Sequence, residues 1–239
     1  MASARMRTIN KCLFVVLAAS LAHAHAAVND FQFRTGLKIN KEFRKGFDVS
    51  AGYELRLHKN AEAFKGSYFT LNPGYKLDKH FGIELEARYA VSYAWDKYRW
   101  GAGLSYKKDF GKIKGTLLAR YQVEHYKQSM PETGQYPSKQ NYRLKAEASC
   151  KINKRVKLYA SCEPRYQVVE NEGMLQRIKT QAGSKWEFMK HHTLDVSYSC
   201  QPEYKPGHTY TAWILEATYK WDIPKRKKPK KETSPADGG

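Results

Sequence analysis

The chain has 239 residues, with 42 Lys and Arg against 23 Asp and Glu and a formal net charge of +19. Its mean hydropathy is −0.72, and past the first 26 residues no apolar run approaches the ~20 residues that a membrane-crossing helix needs. Those values exclude a helical membrane protein. They do not exclude a transmembrane β-barrel, whose segments alternate apolar-out with polar-in and average to a hydrophilic value.

Residues 1–26 have the three parts of a cleaved leader. Arg5, Arg7 and Lys11 make the basic region, Cys12 to Ala22 the short apolar run, and Ala24-His25-Ala26 the small-residue cleavage site. Cys12 is not expected to carry lipid, because Asn10 and Lys11 precede it in place of small apolar residues. The expected organisation is a signal peptide over 1–26, a β-barrel over 27–223 and a basic, disordered tail over 224–239, in an exported bacterial protein.

From Asn29 onward the dominant pattern has a period of two, and no stretch shows a helical period. Eleven candidate strands follow in order: Phe31 to Ile39, Phe47 to Leu57, Phe69 to Leu77, Phe81 to Tyr93, Tyr98 to Tyr106, Ile113 to His125, Tyr142 to Ile152, Val156 to Val168, Met174 to Phe188, Leu194 to Cys200 and Thr209 to Trp221. The clearest is the fourth. Phe81, Ile83, Leu85, Ala87, Tyr89 and Val91 point one way, and Gly82, Glu84, Glu86, Arg88 and Ala90 the other. In the ninth, the least regular, the apolar set is Met174, Ile178, Ala182, Trp186 and Phe188.

Short, mostly Lys-rich connections (Asn40 to Gly46, Asp78 to His80, Lys108 to Gly111, Asn153 to Arg155, Lys190 to His192) alternate with longer ones. The longer are Lys59 to Gly66, Lys127 to Gln140 and Pro202 to Gly207. Short turns at one rim and longer loops at the other is the wiring of outer-membrane barrels. The lengths also suit tilted strands of ~9–11 residues across a bilayer. Because single-chain bacterial barrels have even strand numbers, the expected count spans ten to twelve, with a further strand sought around Ala61 to Tyr68 or in 174–188. The fold class is all-β, an antiparallel up-and-down transmembrane β-barrel.

A soluble barrel would reverse the two faces. Here the apolar face is rich in Tyr, Trp and Phe near strand ends, including Tyr93, Trp95, Tyr98, Tyr106, Phe110, Trp186 and Trp221, as in interfacial aromatic girdles. The other face carries Glu54, Arg56, Glu84, Glu86, Arg88, Arg99, Arg120, Glu124, Arg143, Glu147, Glu163 and Arg165. Burying these in a dry core costs several kcal/mol per ion, whereas a hydrated lumen accommodates them as a cross-strand charge network. Mixed signs favour a structural network over a single-sign selectivity ring.

Several short stretches, namely Asn29-Asp30-Phe31-Gln32, the turn Lys41 to Gly46, Glu54-Leu55-Arg56-Leu57 and Glu86-Ala87-Arg88-Tyr89, resemble an outer-membrane barrel family of Gram-negative bacteria known as domain of unknown function 2490. The resemblance spans nearly all of the chain after residue 26. It implies the location and the fold, and brings no catalytic residues with it. A terminal aromatic usually closes such barrels, whereas here Trp221 and Ile223 are followed by a basic tail.

Removing the three leader charges and the tail's net four leaves +12 on residues 27–223. The basic residues are scattered and no stacking platform accompanies them, so nucleic acid is not an expected partner. Outer-membrane lipid is, and the tail could touch an anionic envelope polymer. Cys150, Cys162 and Cys200 fall on the apolar face and are not expected to pair. No His or carboxylate stands beside them at metal spacing, and no cofactor is expected. The pair His191-His192 and the segment Gly207-His208-Thr209 lack a serine placed for nucleophilic catalysis, so no catalytic residue is expected. Three functions are open: a structural or narrow-pore outer-membrane barrel, a barrel enzyme acting on envelope lipid, and a soluble periplasmic ligand-binding barrel.

Overall fold

A computed structural model describes residues 28–43, 46–93, 95–128, 138–205 and 208–224. The expected leader, most of the loop Lys127 to Gln140 and the tail beyond Pro224 lie outside the described residues. Eleven strands follow one another: β1 (Val28–Glu42), β2 (Phe47–His58), β3 (Ala63–Lys76), β4 (Phe81–Val91), β5 (Trp95–Phe110), β6 (Ile113–Gln128), β7 (Lys139–Lys151), β8 (Val156–Val169), β9 (Glu172–Met189), β10 (His192–Lys205) and β11 (His208–Ile223). Each pairs with its sequence neighbour, and β1 pairs with β11 to close the barrel.

Sequential pairs are antiparallel, but the closing pair is parallel, with Val28 opposite Tyr210 through to Lys41 opposite Ile223. An odd number of up-and-down strands makes that unavoidable, since the first and last run the same way. Eleven strands match the eleven candidates and fall within the expected ten to twelve, and the even number usual in bacterial single-chain barrels is not met. Ala63–Tyr68 is the start of β3, and 174–188 lies within the single long strand β9. Two of the expected longer loops are also strand: β3 begins at Ala63 and β10 continues to Lys205.

Register fixes the barrel's dimensions. Following partners from Glu42 through Asp48, Gly74, Glu84, Gly103, Arg120, Arg143, Arg165, Arg177, Glu203 and Tyr210 returns to β1 at Val28, a shift of fourteen residues (42 less 28). With ~3.3 Å per residue and ~4.8 Å between strands, that shear tilts eleven strands by about 40° around a backbone radius of about 11 Å. Arg and Glu side chains reaching inward from both walls leave little of that width open.

The turns have local causes. Glu170 and Asn171 both take positive φ, as a two-residue hairpin turn requires. At the opposite rim, Gly46 at φ 80° ends the β1–β2 turn, where a side chain would be strained. In the β3–β4 turn, Asp78 accepts from the backbone N–H groups of His80 (2.6 Å) and Phe81 (2.7 Å). These bonds, Phe81 first, hold its carboxyl below the ordinary range. The turn's contribution is thus complete above the usual carboxylate pKa and is lost as pH falls through the lowered value.

Burial is inverted relative to a soluble domain. Leu37, Leu71, Leu85, Leu104 and Trp100 are exposed on the outer surface, whereas Gln32, Glu86, Arg99, Gln122, Glu124 and Asn141 are buried inside. Near the short-turn rim the outer rings cluster: Phe81 lies 5.1 Å from Tyr106, and His192 stacks on Trp221. A second group, nearer the other rim, pairs Tyr89 with Tyr98 and Tyr198 with Trp213. Cys150, Cys162 and Cys200 are free and share the outer register positions.

Leu85 sits midway along β4 and is 51% exposed. In lipid vesicles Leu85→Arg is expected to destabilise the folded barrel by about 2–4 kcal/mol, the depth-dependent cost of a cation on the lipid face. Urea titration reads it; an effect near zero would mean that this face does not meet lipid.

Candidate functional site

The lumen holds the chemistry, because strand alternation sends every second residue of a closed sheet inward. All twelve charged residues singled out in the sequence lie at inner register positions. They do not form one ring. Most belong to a connected network across β4–β8, and the rest make smaller groups.

Glu86 is the hub. One carboxylate oxygen accepts from Arg99 at 2.6 Å and Gln122 at 3.1 Å, the other from Arg120 at 2.8 Å. Arg120 also reaches Glu84. Arg99 continues to Glu124 at 3.4 Å, which takes a further bond from the Tyr126 hydroxyl at 3.2 Å. Gln122 accepts from Arg143, whose Nε donates to Glu163 at 3.0 Å. Gln122 is 0% exposed and Glu124 2%, so this layer is closely packed. Ionised side chains at such depth persist only where each is paired and hydrogen-bonded.

The remaining expected residues lie at the edge of this network or outside it, with Arg88 nearest at 3.9 Å from Glu86. Glu54 pairs with Arg56, whose guanidinium lies 3.8 Å from the centre of the Tyr68 ring. Arg88 donates to Thr70 at 2.9 Å, and Glu147 pairs with Lys145 at 2.8 Å. Arg165 is the exception. The one carboxylate within 4 Å of it among the described residues is Glu124 at 3.9 Å, beyond hydrogen-bond reach.

Register reveals a feature that pattern reading missed. Arg120, Arg143, Arg165 and Arg177 are direct partners on β6, β7, β8 and β9, one arginine per strand. Like charges placed directly opposite repel. With tilted strands the row also climbs the wall, by about 3 Å per strand. Arg177 was absent from the expected set although the outward Ile178 beside it already implies an inward side chain; the bulge near Arg165/Tyr166 changes the phase only of the residues before it in β9. The same shift puts Met174 opposite inward Gln167, so Met174 leaves the outer set in which it was expected.

Two further inner groups were also missed. Near the β1 start, Gln32 donates to Asp30 at 2.9 Å, and Arg34 donates to Gln32 at 3.2 Å. Nearer the short-turn rim, Asp195 accepts from the Tyr159 hydroxyl at 2.8 Å and pairs with Lys220. The Tyr159 ring lies over Gly183, where an added Cβ would come within 2.7 Å of it. Strict alternation from Phe31 and Phe33 would have placed Arg34 inside. Asp195 had the same signal from Leu194 and Val196.

The histidines serve local contacts. His192 Nδ1 lies 2.6 Å from the Tyr219 hydroxyl, and His80 Nδ1 lies 2.9 Å from the Lys107 carbonyl. Among the described residues no group of three His, Cys, Asp or Glu is placed to hold a metal ion.

An apolar outer belt, closed backbone pairing and a charged interior define a transmembrane β-barrel. By sequence profile, residues 31–212 match the family described as a protein of unknown function (DUF2490), and the chain belongs to that family. No curated protein matches it in sequence. Solved structures that it resembles include the NanC porin (12% identity, 72% of this chain and 85% of that one, TM-score 0.49). The KdgM porin follows at 14% identity, 72% and 91% coverage and a TM-score of 0.45. An anion-selective porin from Comamonas acidovorans shows 13% identity, 73% and 53% coverage and a TM-score of 0.37. Likenesses of this strength leave the reading of the lumen to rest on the barrel itself.

Because Glu86 receives three donors and is buried, Glu86→Gln takes the central carboxylate from Arg99 and Arg120, leaving them Glu124 and Glu84, and is expected to cost roughly 3 kcal/mol. Glu84→Gln, at a more open position with one partner, is expected to cost under about 1 kcal/mol. Unfolding titrations of both variants check the ranking; equal costs would show that the hub is not what holds the layer.

Proposed function

We propose that this protein is an outer-membrane barrel of the narrow-pore type, with its constriction at the Glu86–Arg99–Glu124 layer and a preference for small anions. The observation that carries the reading is the row Arg120, Arg143, Arg165 and Arg177. Lys38, Lys179, Lys185 and Lys220 add further cations at inner register positions, and bases exceed acids along this wall. A narrow lumen with low-dielectric walls focuses such a field and raises the local anion concentration. The leader-like residues 1–26 and the exposed outer belt support the outer-membrane assignment, with outer-membrane lipid as the surrounding partner and the 224–239 tail available to an anionic envelope polymer.

Two measurements test this. Fractionated cells should carry the protein in the outer membrane, with a mobility shift on boiling; recovery from the periplasm in detergent-free buffer would return a soluble ligand-binding barrel. Purified protein in planar bilayers should give small conductance steps, and a KCl gradient a reversal potential of anion-selective sign. No steps at any voltage would make the polar layer a permanent plug.

A further inference from the structure

Arg165 stands out within the row. It is 5% exposed, yet it donates no hydrogen bond among the described residues, and its Nε has no partner. Its register partners on both sides are arginines, Arg143 and Arg177. Arg143 is committed to Glu163 at 3.0 Å and to Gln122 at 3.1 Å. Arg177 has a single carboxylate contact, Glu203 at 3.4 Å. Arg34, 7% exposed and also with an unpartnered Nε, stands within electrostatic reach of Arg177. A buried cation without an acceptor costs several kcal/mol, and Arg165 is in that position, while Arg34 holds the neutral Gln32 oxygen at 3.2 Å.

We infer that this stretch of wall is an oxyanion-binding site centred on Arg165, and that a phosphate- or carboxylate-type group seats there between Arg143 and Arg177. The chemistry selects the ligand class. A guanidinium presents a planar fork of N–H groups that two oxygens of one oxyanion accept together, whereas chloride offers a single centre. An oxyanion in the fork supplies the acceptors that Arg165 lacks and screens it from both neighbours. On this view the row has a preferred stopping point, and solutes bearing such groups are distinguished from halides. The inference deepens the anion-pore reading and rests on it for its physiological meaning, though not for its test.

The probe is inorganic phosphate, with sodium acetate as the carboxylate arm and sodium chloride at matched ionic strength as reference. Isothermal titration and thermal unfolding are run on the folded full-length barrel in detergent. Wild type is expected to bind phosphate or acetate saturably and to unfold at a higher temperature in either than in chloride. Whichever oxyanion binds tighter identifies the headgroup type. Arg165→Gln is expected to weaken binding at least about tenfold. Because it removes a charge flanked by like charges, it should fold at least as well as wild type in chloride. Arg165→Lys keeps the charge and loses the fork, so it should also bind weakly. Equal behaviour in phosphate, acetate and chloride, or wild-type affinity in Arg165→Lys, overturns the site. The binding assay is independent of current: binding without anion-selective conductance removes the pore and keeps the site, and anion-selective conductance without binding does the reverse.

Discussion

In lipid a sheet has no water to satisfy an unpaired edge, so backbone hydrogen bonding must close on itself. Everything else in this barrel follows from that closure. Eleven strands meet through the parallel seam of β1 and β11, and the fourteen-residue shear sets tilt and radius together. Mitochondrial anion channels with nineteen strands show that an odd count is compatible with a stable transmembrane barrel. The odd count also sends the two chain ends to opposite rims. Val28 begins at the loop rim, and Ile223 ends at the rim of short turns.

Closure sets the register of neighbouring strands, and long polar side chains then link along one wall: Glu86 on β4 gathers arginines from β5 and β6, while Gln122 on β6 links to Arg143 on β7. The packed layer consumes most of its carboxylates internally. What is left over is positive. The lumen therefore combines a tied polar layer with a row of arginines in which Arg120, Arg143 and Arg177 have carboxylate partners and Arg165 has none within hydrogen-bond reach.

The outside is simpler and equally constrained. Apolar positions meet lipid, Cys150 and Cys162 included, and rings gather toward the rims. Single charges are tolerated inside at depths where the same charge outside would be costly. Side chains can therefore vary more freely at lumen positions and rim loops than on the outer belt.

Alternation alone determined the strand positions, the two faces and the inward set from Glu54 to Arg165, because a period of two is local and each residue's side follows from its neighbours. It faltered where local rules give way. The bulge in β9 misplaced Met174, and breakers such as Pro202 made strand look like loop. Closure was beyond it, since nothing in β1 or β11 announces a parallel partner 182 residues away, as Asn40 and Asp222 are. Nor could it foresee the arginine row. Four arginines spread over β6–β9 are distant in sequence, and only inter-strand register, set by turn lengths and bulges acting together, brings them side by side.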